Sequence, residues 1–73
     1  MTLGAVRRGG RVRVLRLPDG SFRAQLIRIG IMEGAELECL ERLPGGTLVL
    51  AHSRQEVALS AELAASITVS PVE

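Results

Sequence analysis

At 73 residues and 47% apolar content, the chain is long enough for one small domain and too short for two. Its formal net charge of +1 supplies no strong field for nucleic acid or an anionic membrane, and its single cysteine cannot close an internal disulfide. No apolar run approaches the ~20 residues that span a bilayer, and Met1 to Gly10 carries two arginines without the apolar stretch of a signal peptide.

The expectation is therefore a cytoplasmic protein, a single domain over residues 1–73 with an irregular lead-in at 1–10. In that lead-in, Leu3 and Val6 dock on the core and Gly9-Gly10 forms a flexible hinge. Arg11 to Leu17 alternates as a strand, with Val12 and Val14 inward and a phase change at Leu15 that predicts a bulge. Pro18-Asp19-Gly20 is turn chemistry.

The next stretch, Gly20 to Gly34, organises the rest. Ser21 is placed to cap a helix, and Phe22, Leu26 and Ile29 recur at i, i+4 and i+7 as one apolar stripe flanked by Arg23 and Arg28. Phe22, the one aromatic residue of the chain, is expected to be the largest core piece. Gly30 falls where a helix takes a left-handed stop, with Ile31 folding back on the last turn. Met32-Glu33-Gly34 then reverses the chain, Gly34 serving as a second structural glycine.

Glu36 to Leu43 alternates again, Leu37 and Cys39 inward, with a late bend at Leu40. Pro44-Gly45-Gly46 links it to Thr47 to His52, whose apolar run suits a strand covered on both faces. Gln55 to Leu59 is a further strand after a short polar link, with Val57 and Leu59 inward. Ser60 caps a helical turn from Ala61 to Ala65 with Leu63 inward, and Ser66 to Ser70 alternates until Pro71. Five short strands broken by glycine and proline predict a mainly β fold, a small barrel with one inserted helix and a short helical turn.

Chemistry is sparse. With one histidine and one cysteine, no nucleophile, base and orienting group assemble at a catalytic spacing, so no enzyme is expected. Cys39 reads as a buried thiol and His52 as a solvated turn residue. No Cys-x-x-Cys or His-x-x-x-His fixes metal ligands, and with its one aromatic, Phe22, claimed by the core, a nucleic-acid barrel that stacks bases is not supported. What remains is a binding module. Its candidate docking surface is Met32, Leu40, Leu43 and whichever of Val49 or Ala51 faces outward, with Arg23 and Arg28 beside the helix, and an apolar cleft between barrel and helix is the expected form of such a site.

The run Arg23-Ala-Gln-Leu-Ile-Arg-Ile-Gly-Ile-Met-Glu-Gly-Ala resembles the FeoA pattern of a helix, an Ile-Gly-Ile step, two residues and a glycine before a strand. Pro44-Gly-Gly-Thr-Leu-Val-Leu resembles the family's central hairpin, and Val57 to Val69 its closing segment. The likeness extends from about Leu3 to Val69. It implies an SH3-like barrel related to the C-terminal domain of DtxR-type repressors. It also implies a cytosolic accessory of ferrous iron uptake, docking on the GTP-binding part of the membrane permease FeoB. The alternative it leaves open is a transition-metal-binding or metal-sensing domain holding a weakly bound divalent ion, for which the pattern supplies no ligand set. Self-association is compatible with either.

Overall fold

Residues 1–72 are described in the computed structural model. A 3₁₀ turn (Leu3–Ala5) precedes strand β1 (Arg11–Arg16), helix α1 (Ser21–Arg28), strands β2 (Glu36–Arg42), β3 (Leu48–His52) and β4 (Gln55–Leu59), helix α2 (Ala61–Ala65) and strand β5 (Thr68–Pro71). All strand pairs are antiparallel, and the sheet order is β4-β3-β2-β1-β5. The mainly β architecture expected from the punctuation is the observed one. The two outermost strands do not pair with each other, so hydrogen bonds do not close the sheet into a ring.

Both predicted bends are present. Register slips between Val14 and Arg16 against β5, and between Cys39 and Glu41 against β3. An extra residue on one strand bends it and increases its twist, which lets a short sheet wrap one core. Leu15, on the first bulge, is accordingly turned out to solvent at 53% exposure. The core itself is aliphatic, with Leu26, Leu37, Leu48, Leu50, Ile67 and Val69 among its buried members. Val49 and Ala51 on the other face of β3 are only half-buried, so that strand is less covered than its apolar run implied.

Helix α1 departs from expectation in two respects. Its N-cap is Gly20 at φ 77°, with no side-chain capping bond, and Ser21 is the first helical residue. The Pro18-Asp19-Gly20 turn delivers the chain into the helix at Gly20, so the serine hydroxyl lies one position too late to cap. Phe22, in that first turn, sits at the rim of the core and is half-buried, while Leu26 one turn on is fully buried. The C-terminus follows the prediction. Gly30 has φ 88°, its N–H donates to the Ile27 carbonyl, and the Ile31 N–H donates to the Leu26 carbonyl, each at 2.9 Å. This is the paired capping pattern that a left-handed glycine permits, and it buries Ile31 completely. At α2, Ser60 caps as expected, its Oγ accepting from the Leu63 N–H at 3.1 Å.

The lead-in is docked rather than loose. Leu3 is fully buried, and the Gly9 N–H and Gly10 carbonyl both pair with Cys39, which corrects the reading of Gly9-Gly10 as a hinge. Arg42 reinforces the arrangement by donating to the carbonyls of Gly4 and Val6 at 3.0 and 2.6 Å. Residues 1–3 also run along the outer side of β5: Leu3 donates to the Ile67 carbonyl, Val69 donates to the Met1 carbonyl, and Thr2 bridges Thr68.

On the outer face, Arg13 and Glu36 are cross-strand partners 2.7 Å apart, with Arg11 at 3.7 Å from the same carboxylate. Hydrogen bonding and attraction from Arg13 hold the Glu36 carboxyl below its usual value near 4.5. A carboxyl depressed by folding stabilises the fold above its unfolded pKa and loses that contribution as pH falls through the folded value. Arg13→Ala should therefore raise the Glu36 pKa toward 4.5, as NMR titration of its side chain would show. Because both groups are about half exposed, any change in melting temperature should be small and confined to pH above that range.

Candidate functional site

A cleft of 280 Å³ opens where α1 passes the end of β4 and helix α2. Ile29, Leu59 and Leu63 give it an apolar floor, while Gln25 and Arg28 stand on α1 and Ala58 on β4. Local sequence explains each contribution. The helical stripe carries Ile29 past the edge of the core, so it is only half-buried. The Gly30 stop holds Ile29 there, and the Ser60 cap presents Leu63 from the opposite wall. Arg28, in the last turn, complements the negative end of the helix dipole. It has no carboxylate within ion-pair distance among the described residues.

This is the expected cleft between sheet and helix, but of the predicted docking residues only Arg28 lines it. Met32 and Leu43 are exposed at 47% and 43%, one before and one after the seven residues of β2. At about 3.3 Å per residue these positions lie roughly 20 Å apart. Leu40 is half-buried at the β2 bulge. Arg23 is held by Glu33 at 3.1 Å, and the Glu33 carboxyl is lowered first by its own backbone N–H and then by Arg23. The predicted surface is therefore divided into separate places. Ile29, Leu59 and Leu63 were legible as inward residues, but not as the floor of an open cleft.

A second, smaller hollow of 170 Å³ is polar, with Arg11, Glu36, Glu38, His52 and Arg54 among its lining. His52 is not the free turn residue that was expected. Its Nε2 lies 2.8 Å from the Gly30 carbonyl and its Nδ1 3.4 Å from the Glu36 carbonyl. A carbonyl only accepts, so the Nε2–H donates to Gly30 and ties the end of β3 to the cap of α1. Cys39 is buried as expected, and burial pushes its thiol above the ordinary range.

The FeoA domain model matches residues 1–71. The chain belongs to the FeoA domain family. No curated protein matches it. Among solved structures, iron(II) transport protein A from Clostridium thermocellum is similar with a TM-score of 0.91 at 27% identity, covering 99% of this chain and 46% of that one. A manganese-dependent transcriptional repressor gives 0.90 at 27% identity, covering 97% and 40%. This chain thus spans less than half the length of either protein. Stenotrophomonas maltophilia FeoA, described as an SH3 domain protein and complexed with zinc, gives 0.83 at 21% identity, covering 96% and 89%. The FeoA assignment and the SH3-like fold agree with the resemblance read from the Ile-Gly-Ile step and the glycine hairpin.

The described residues do not assemble a donor set for a resident transition metal. Among those described, no three His, Cys, Asp or Glu side chains converge. Cys39 is sealed in the core, and both nitrogens of His52 face carbonyl oxygens. Among the same residues, no helix is long and apolar enough to cross a membrane.

Proposed function

We propose that this FeoA-family chain is an accessory of ferrous iron uptake that works in the cytoplasm by docking on the GTP-binding part of the FeoB permease. The observation that carries the reading is the α1–α2 cleft, a preformed apolar hollow with Arg28, free of ion pairs among the described residues, at its rim, in a domain matched to FeoA over nearly its whole length. A thin core spares few apolar side chains, so the half-buried Ile29, lining an open hollow above the buried Leu59 and Leu63, favours binding over stability. The role is recognition rather than catalysis, with Cys39 buried and His52 engaged in structure. Of the surface expected from sequence, Arg28 is retained as a docking residue.

Immobilised cytosolic FeoB should capture the wild-type chain. Arg28→Glu should weaken capture by about tenfold, the loss of one charge-assisted contact plus a new repulsion. Leu43→Glu, beyond the far end of β2, should bind as wild type. Absence of wild-type capture at micromolar concentrations would remove the role. Equal capture of Arg28→Glu would move the docking face elsewhere.

A further inference from the structure

The cleft runs beside an open sheet edge, and the two together describe what kind of segment enters. The β3–β4 connection is a two-residue turn, Ser53 at φ 48° and Arg54 at φ 67°, the mirror-image turn that suits hairpins. In such a hairpin the flanking pair His52 and Gln55 exchanges both backbone hydrogen bonds, and the pattern alternates from there. Gln55, Val57 and Leu59 thus turn their N–H and C=O groups toward β3, while Glu56 and Ala58 turn theirs away. Both outward residues are exposed, and neither has a backbone partner on that side among the described residues.

The other edge of the sheet is treated differently. Residues 1–3 cover β5, whereas β4 keeps five paired residues in unbroken register with β3, without proline or bulge. Edges left flat in this way are templates for another strand. Ala58 and Leu59 belong both to this edge and to the cleft. Strand addition uses this combination, main-chain bonds for affinity and a pocket for an alternate side chain for selectivity. The charges select the occupant further: neither Arg28 at the cleft nor Arg54 at the turn has an acid within ion-pair distance among the described residues.

We propose that the docked partner segment binds as an extra strand on β4, its backbone paired with Glu56 and Ala58, one apolar side chain in the cleft and an acidic side chain on Arg28. This inference rests on the docking reading above and specifies its chemistry. Its test uses the full chain and the cytosolic part of FeoB. Glu56→Pro deletes one outward N–H and no bond to β3, a change that edge strands tolerate. It should keep the wild-type melting temperature within a few degrees and bind about tenfold more weakly. In the wild-type complex, hydrogen exchange at the Glu56 and Ala58 amides should slow, and this measurement decides the matter even where the proline variant folds poorly. Capture of Glu56→Pro at wild-type affinity, or unchanged exchange at both amides in the complex, overturns strand addition and leaves docking intact. No capture of the wild-type chain overturns both.

Discussion

Leu26→Ala is expected to cost about 2–5 kcal/mol, the range for truncating a buried leucine that the surroundings cannot collapse around. A domain of this length has roughly 4–11 kcal/mol in hand, so the variant loses a large share of its stability. At roughly 4–8 °C per kcal/mol its melting temperature should fall by at least about 8 °C. Leu26 is fully buried, and it is the only residue of α1 that is. Its side chain is what anchors the helix to the sheet, while its carbonyl receives the Ile29 and Ile31 N–H groups that end the helix. Leu26→Met, which conserves volume, should cost less than about 1.5 kcal/mol. A thermal melt of the alanine variant within two or three degrees of wild type would show that α1 is not held by this side chain.

Gly30→Val should produce the second large loss, by a different mechanism. At φ 88° an L residue is strained by about 1–2 kcal/mol, and a β-branched one fares worst. Space alone would admit a Cβ, which lies 3.5 Å from His52 Nε2. The added methyl groups of valine must then press on the imidazole and threaten its 2.8 Å bond to the Gly30 carbonyl, worth about another 1 kcal/mol. The sum, roughly 2–3 kcal/mol, corresponds to about 8 °C or more. Gly30→Asn should cost visibly less, because asparagine tolerates the left-handed region. Equal melting temperatures for the valine and wild-type proteins would contradict the capping account.

How much of this was legible in the sequence depended on whether a feature was local. The Gly30 stop, the Ser60 cap and both bulges were readable, since each is written in a few adjacent residues: a glycine after an apolar stripe, a serine before alanines, a phase slip at Leu15 or Leu40. The β3–β4 turn hid its type because Ser53 and Arg54 occupy left-handed positions without the usual glycine or asparagine. Ser21 looked like a cap because its chemistry is right, and only the path through Gly20 shows that it comes one residue late. Non-local features were least visible. His52 finds its partners 22 and 16 residues away, and nothing in its neighbours announces them. The cleft arises from where α1 comes to rest against β4 and α2, which apolar spacing does not report. That is why Ile29 and Leu63, read as inward and indeed packed on or in the core, give no sign that they also floor an open cleft, while Met32 and Leu43 are grouped across the length of a strand.

The strip of chain that lies along β5 has a consequence for crowding. A sheet with two bare borders can recruit neighbours on both sides and grow without limit into a fibre. Here residues 1–3 occupy one border along Ile67 to Val69, which directs strand pairing with a neighbour to the other border, β4, and disfavours growth from both sides at once.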